Sequence, residues 1–268
     1  MNTNINKSRG LYANYHTHTF RCKHAQGEDR EYVEAAIKGG FKVLGFSDHC
    51  PWFFDDGHVS GTRMLPKELD GYIASIDNLK KEYKSDITIY VGLEAEYIPE
   101  LMEKQNKLLQ DYTLDYMIIG QHFIQREPYS AYTGFPTEEE SNLKTYVDLI
   151  IEGMETGRYL YVAHPDLLNF SGSSEIYEKH MLRLCQYLKS KDVPVEINFL
   201  GFHGQRHYPS DRFLQIAKKV GNTAIIGVDA HNPDSLLCQK EIEACQRYAE
   251  NHGLKLLEEL PIKGVRWN

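Results

Sequence analysis

The chain alternates between short runs of β-branched and aromatic residues and longer stretches whose apolar residues fall three and four apart. The short runs predict strands over Tyr12 to Thr19, Lys42 to Ser47, Ile87 to Tyr97, Tyr116 to Phe123, Tyr159 to His164, Val193 to Phe199 and Thr223 to Asp229. Glu28 to Lys38 reads as a helix ended by Gly39 and Gly40. Pro66 opens a second, with Leu69, Tyr72, Ile73, Ile76, Leu79 and Tyr83 along one face. Leu101 to Leu109 gives a third, and Thr137 with Glu140 reads as a capping box for a helix toward Gly157. Further helices are expected over Glu175 to Ser190, from a Ser210 cap toward Val220, and over Asp234 to Asn251. The tail from Gly253 to Asn268 has no clear pattern. About seven strand–helix units in alternation predict a parallel α/β fold. A closed or nearly closed barrel fits the length better than an open sheet. No linker or composition break divides the chain, so one domain over residues 1–268 is expected.

Composition narrows the class. Hydrophobic residues make up 41% of the 268 and charged residues 25%, values of a folded globular chain. With 30 Lys+Arg against 38 Asp+Glu the net charge is -8, and no basic stripe exists, so a nucleic-acid partner is not expected. No apolar run approaches the ~18–20 residues of a membrane helix. Met1 to Gly10 lacks the apolar stretch of a signal peptide, so the expectation is a cytoplasmic protein with no membrane partner. Five cysteines without paired spacing read as reduced thiols. Nothing in the sequence sets an oligomeric state.

The functional signal is positional. Strand one ends His16-Thr-His18, strand two Asp48-His49, and strand three Glu94-Ala-Glu96. Strand four ends Gln121-His122, strand five His164-Pro165, and strand seven Asp229-Ala-His231. Each delivers an imidazole or carboxylate at its C-terminal end, the face where barrels of this class build active sites. His16 and His18 are two apart and point the same way in an extended strand, as do Asp229 and His231. Glu94 and Glu96 are equally eligible by the same alternation. Burying such a set without a cation would be costly. Its nitrogen and oxygen donors suit zinc, manganese or iron, with Cys22 and Cys50 as neighbours of the ligands.

Taken together, His16-x-His18, His24, Ser47-Asp48-His49, Gly92-Leu93-Glu94-Ala95, His122, His164-Pro165 and Asp229-x-His231 resemble the polymerase-and-histidinol-phosphatase (PHP) superfamily. The resemblance runs from about residue 11 to residue 233. The stretches His16 to Ala25 and Ser47 to Pro51 resemble its histidinol-phosphate phosphatase branch. The resemblance implies a distorted TIM-like (β/α)7 barrel holding two to three divalent ions. His16, His18, Glu94 and Asp229 would bind one ion. Glu94 would bridge to a second at His122 and His164, with Glu96 as the fallback bridge, and His24, His49 and His231 would hold the third. The family stretch after strand six is interrupted here by a longer loop, Phe199 to Gln205, which leaves Arg206 as the phosphate-binding arginine. Arg158 should sit on the opposite face.

The resemblance further implies hydrolysis of L-histidinol phosphate to L-histidinol and phosphate, with a metal-bridging hydroxide as nucleophile. Arg206 would steady the phosphoryl group, and Asp229, His203 or His207 would protonate the departing oxygen. Trp52, with Phe53 and Phe54, would flank the substrate imidazole, Asn198 would contact substrate or order a ligand, and Asp55 or Asp56 would face the ammonium. Other readings are a phosphoesterase for nucleotides or other small phosphate esters or diesters, an amidohydrolase-like binuclear enzyme, and a metal-binding barrel without catalysis.

Overall fold

The structure, a computed structural model, describes residues 10–267. The stretch Met1 to Arg9, on which the N-terminal reading falls, and Asn268 lie outside the described residues. Eight parallel strands follow one another in chain order around a single sheet. They are β1 (Ala13–Asn14), β2 (Val43–His49), β3 (Thr88–Ala95), β4 (Tyr116–Ile119), β5 (Tyr159–Val162), β6 (Val195–Asn198), β7 (Thr223–Gly227) and β8 (Lys255–Leu256). The helices α1 (Asp29–Gly39), α2 (Leu69–Glu82), α3 (Pro99–Leu109), α4 (Glu140–Glu155), α5 (Ser174–Ser190), α6 (Phe199–His203), α7 (Asp211–Val220) and α8 (Gln239–Asn251) fill the crossovers. Among the described residues, no helix is long and apolar enough to cross a membrane.

Among the described residues, the first and seventh strand segments meet at the mouth. Thr17 bridges in parallel with Ala230, the His18 amide donating to the Ala230 carbonyl at 2.9 Å. At the floor, β7 pairs instead with β8, Thr223 opposite Lys255. The result is a distorted TIM-like barrel, with one more strand than the sequence pattern suggests. That strand belongs to the tail, and at two residues it is too short for alternation to reveal.

Most helix ends follow the sequence. Gly40 closes α1 in the left-handed region (φ 90), and Ser210 caps α7 by accepting from the Phe213 amide. Thr137 does not form the expected capping box. Its amide is drawn to the Asn169 carbonyl at 2.9 Å, and α4 begins at Glu140 without a side-chain cap. The long loop after β6 contains α6, capped by the Asn198 side chain on the Gly201 amide.

Two apolar layers sandwich the strands. Leu44 and Phe46 of β2 and Leu93 of β3 join the helices in the outer core. Inside, Tyr15, Tyr116, Tyr161, Ile225 and Leu260 plug the barrel floor. The Tyr116 hydroxyl reaches the Tyr15 carbonyl at 2.7 Å and the Phe46 carbonyl at 3.0 Å. A Cβ at Gly92 would stand 2.6 Å from the Tyr116 backbone, so only glycine lets the two strands hold this plug. The apolar floor leaves the polar strand ends at the opposite, open end.

Candidate metal centre

All nine residues expected to bind cations converge at the mouth. Ligand atoms of His16, His18 and Glu94 lie within 4.8 Å of one another, as do those of His16, His164 and Asp229, and those of His18, His49 and His231. The His24 ring stands 4.7 Å from His231 and 5.2 Å from His49. His122 lies 4.9 Å from His164 and 5.0 Å from His49. His164 (φ 31) and Asp229 (φ 54) hold left-handed backbone, a strained conformation that costs about 1–3 kcal/mol at such sites.

Glu94 is at the centre, and Glu96 is not. Glu94 Oε1 is 3.6 Å from His16 Nε2, 3.5 Å from His122 Nε2 and 2.9 Å from His164 Nε2. Its Oε2 is 3.5 Å from His18 Nε2 and 3.1 Å from His49 Nδ1. Glu96 turns outward to accept His122 Nδ1–H at 3.1 Å and a bidentate pair from Arg63.

Further carboxylates orient these ligands from behind. Glu196 Oε1 accepts His16 Nδ1–H at 2.8 Å, and its Oε2 accepts the His164 amide at 2.7 Å. Asp48 stands 3.5 Å from His18 Nδ1 and is itself held by Thr19. Carboxylates behind ligating imidazoles fix tautomer and ring orientation.

The hydrogen bonding of the donor set is incomplete in a way that cations would complete. His16 Nε2, both His18 nitrogens, both Glu94 oxygens, His164 Nδ1 and Asp229 Oδ1 are buried without an aligned hydrogen-bond partner. Each such atom costs about 1–3 kcal/mol. Divalent cations among His16 Nε2, His18 Nε2, the Glu94 oxygens and Asp229 Oδ1 would remove that cost, so the residues fit the group.

Charge divides the imidazoles in two. Burial favours neutral His16, yet Asp229, Glu196 and Glu94 outweigh it and hold the imidazole well above its usual range. Against the same burial, Asp229 and Asp48 raise His18 to about 9. Burial and the neighbouring His18 push His49 well below and His231 down to about 3. Burial lowers His24 as well. His24, His49 and His231 therefore keep free lone pairs at neutral pH. Burial and Asp48 push the Cys22 thiol up, and its Sγ lies within 4.8 Å of ligand atoms of His24 and His231.

The cluster floors a cavity of about 410 Å³ whose other walls include Arg63, Phe123, Tyr132, Leu200, Arg206 and Tyr208. Arg206 reaches it as expected, its Nη1 donating to the Tyr208 hydroxyl at 2.8 Å. Trp52 does not line this cavity. Its ring packs with Ile98, Leu101 and Met102, and its indole N–H donates to Glu96 at 3.2 Å. Phe53 is exposed, Phe54 packs beside Trp52, and Asp55 and Asp56 pair with Lys104 and Arg126 at the surface.

Asn198 does not line the cavity either. Its Nδ2 donates to Asp229 Oδ2 at 3.1 Å and to Glu196 at 3.0 Å, so it orders a ligand. His203 stacks on Phe199 and His207 donates to the Leu167 carbonyl at 2.6 Å. Of the three candidate proton donors, only Asp229 lines the cavity. Arg158 lies at the start of β5 over Trp267, away from the mouth.

Arg63, Glu196 and Tyr132 also belong to the site and are absent from the motifs that mark it in the sequence. Alternation with Asn198 at the end of β6 was an available signal for Glu196, whereas Arg63 looked like any arginine in a turn-rich loop.

Parallel strands with metal-ready groups at their C-terminal ends define a metallo-hydrolase type of barrel. The family model for the PHP domain matches residues 14–199, and the chain belongs to that family. A probable histidinol-phosphatase of Deinococcus radiodurans is 26% identical over 227 residues, covering 81% of this chain and 85% of the relative. The histidinol-phosphatase of Bacillus subtilis is 26% identical over 246 residues, covering 81% and 92%. The crystal structure of histidinol phosphate phosphatase from Lactococcus lactis, complexed with zinc, L-histidinol and phosphate, superposes with a TM-score of 0.69 at 18% identity, over 94% of this chain and 99% of that one.

Proposed function

We propose that the chain is a metal-dependent phosphomonoesterase that hydrolyses L-histidinol phosphate to L-histidinol and phosphate. The observation that carries the chemistry is the set of orphaned buried atoms on His16, His18, Glu94 and Asp229, three of which line a cavity that Arg206 also lines. The names of the relatives supply the substrate. His16, His18, Glu94 and Asp229 would hold one divalent ion, His122 and His164 a second shared through Glu94, and His24, His49 and His231 a third. Zinc, manganese or iron suits these donors. When bound, the ions supply an activated water and neutralise charge on the phosphoryl group.

The remaining work falls to the chain. Arg206 holds phosphoryl oxygens and spreads the transition-state charge. Asp229, steadied by Asn198 and, against its burial, held ionised well below its usual range by His16 and His18, would serve as a ligand rather than as the proton donor to the departing oxygen. Tyr132 and Phe123, which line the cavity where Trp52 does not, would flank the substrate imidazole. A single barrel domain in the cytoplasm accords with this reading.

A kinetic comparison of histidinol phosphate with simple phosphate esters and nucleotide diesters tests the substrate. The expected preference is about 10³ or more in kcat/KM, roughly 4 kcal/mol. Equal rates would leave a general phosphoesterase, and a preference for diesters would overturn the substrate. Arg206→Ala should raise KM and lower kcat, costing ~10²–10³ in kcat/KM. An unchanged kcat/KM would return Arg206 to a solvated loop residue.

A further inference from the structure

Three of the cluster histidines have a carboxylate behind them: Glu196 for His16, Asp48 for His18 and Glu96 for His122. Glu96 is distinguished by a buried arginine. Arg63, 3% exposed, comes from the loop after β2 and grips both oxygens, Nη1 on Oε2 at 2.9 Å and Nη2 on Oε1 at 3.0 Å. Its Nη1 also donates to the Cys50 carbonyl at 3.2 Å, and its Nε to Glu127 at 3.2 Å in the loop after β4. These bonds engage four of the five guanidinium N–H groups. A planar fork on a carboxylate sets the plane of that carboxylate, which a point charge does not. Glu96 Oε1 in turn accepts His122 Nδ1–H, and His122 Nε2 then faces Glu94 Oε1 at 3.5 Å.

We propose that Arg63 is a positioning residue for the cation site at His122, His164 and Glu94: it locks the Glu96 carboxylate, which fixes the ring and tautomer that His122 presents. The inference rests on the reading of the cluster as a metal centre. Arg63 also lines the cavity, so a direct grip on phosphate is the rival use. With most of its donors engaged by Glu96, Glu127 and Cys50, it is poorly free to serve there.

The test uses the full chain as wild type, Arg63→Met, Arg63→Lys, His122→Ala and the Arg63→Met/His122→Ala double variant. Each is stripped by dialysis against a chelator and titrated with zinc, and KM and phosphate inhibition are measured alongside. Arg63→Met should bind one equivalent about 10–100-fold more weakly than wild type. Arg63→Lys should not restore it, and adding Arg63→Met to His122→Ala should change zinc binding no further. Wild-type zinc binding by Arg63→Met would overturn the proposal. If KM for the ester rises at the same time, Arg63 is a phosphate clamp instead. Full rescue by Lys would also overturn it, since charge alone would then suffice. If Arg63→Met does not fold, Arg63→Gln carries the same measurements. A wild-type chain that binds no zinc would overturn the metal centre itself, a result distinct from wild-type behaviour in the variant.

Discussion

Glu94→Gln should abolish most turnover while leaving the barrel folded. The side chain is buried, and its two oxygens sit among five imidazoles, His16, His18, His49, His122 and His164, at 2.9 to 3.6 Å. Burial opposes its ionisation, but His122, His16 and His49 more than offset that and hold the carboxyl well below its usual range. Glutamine has the same shape and lacks the charge. It also turns an amide N–H₂ toward atoms that would otherwise share a cation. Loss of one electrostatic element of this kind costs ~10²–10³ in kcat, about 3–4 kcal/mol. Loss of a shared ligand should bring the fall to the upper end of that range or beyond. The checks are kcat for histidinol phosphate, bound metal by elemental analysis, and the thermal midpoint. Glu96→Gln is the comparison. It meets the cluster through His122 and otherwise pairs with Arg63 and Trp52, so its effect on turnover should be smaller, about 10–100-fold. If Glu96→Gln were the more damaging change, Glu94 would not be the shared ligand.

The contrast between these two glutamates shows what the sequence carries and what it lacks. Alternation along the strand expected over Ile87 to Tyr97 puts both on one face, so local pattern alone does not separate them. The distinction comes from Arg63, in the loop after β2 and thirteen residues beyond Cys50, which takes Glu96 out of the cluster. The ligands themselves were legible because a strand of few residues leaves little freedom at its end. Six strand ends carried imidazoles or carboxylates, and the barrel brought them to one mouth. Trp52 was misplaced for the opposite reason. It follows His49 closely in sequence, but the strand ends at His49, and beyond it adjacency in sequence no longer implies adjacency in the cavity. The same holds for His203 and His207, which sit beyond β6 and turn to Phe199 and Leu167. β8 escaped notice because two residues cannot display a period, and its pairing with β7 depends on where the whole tail docks.

Gly120→Ala should match Glu94→Gln in activity although it touches no charge. Gly120 follows β4 and lies against β3 beside the Glu94 side chain. A Cβ there would overlap Glu94 Oε1 and stand 2.6 Å from its Cδ and 2.9 Å from its Cγ. The backbone at Gly120 is not among the left-handed glycines, so alanine meets no conformational objection. The contest is between one methyl and one carboxylate. Glu94 is ringed by imidazoles and fully buried, so it has nowhere to retreat except out of the position it shares with them. The substitution should lower kcat by ~10² or more, and the overpacking should cost about 1–3 kcal/mol of stability. Zinc titration should show the loss of the equivalents that depend on Glu94. In a Glu94→Ala background the clash is gone, so adding Gly120→Ala should then leave the thermal midpoint nearly unchanged. Wild-type turnover and metal content in the single variant would mean that the carboxylate has room to move, and that its observed position is not what binds the cations.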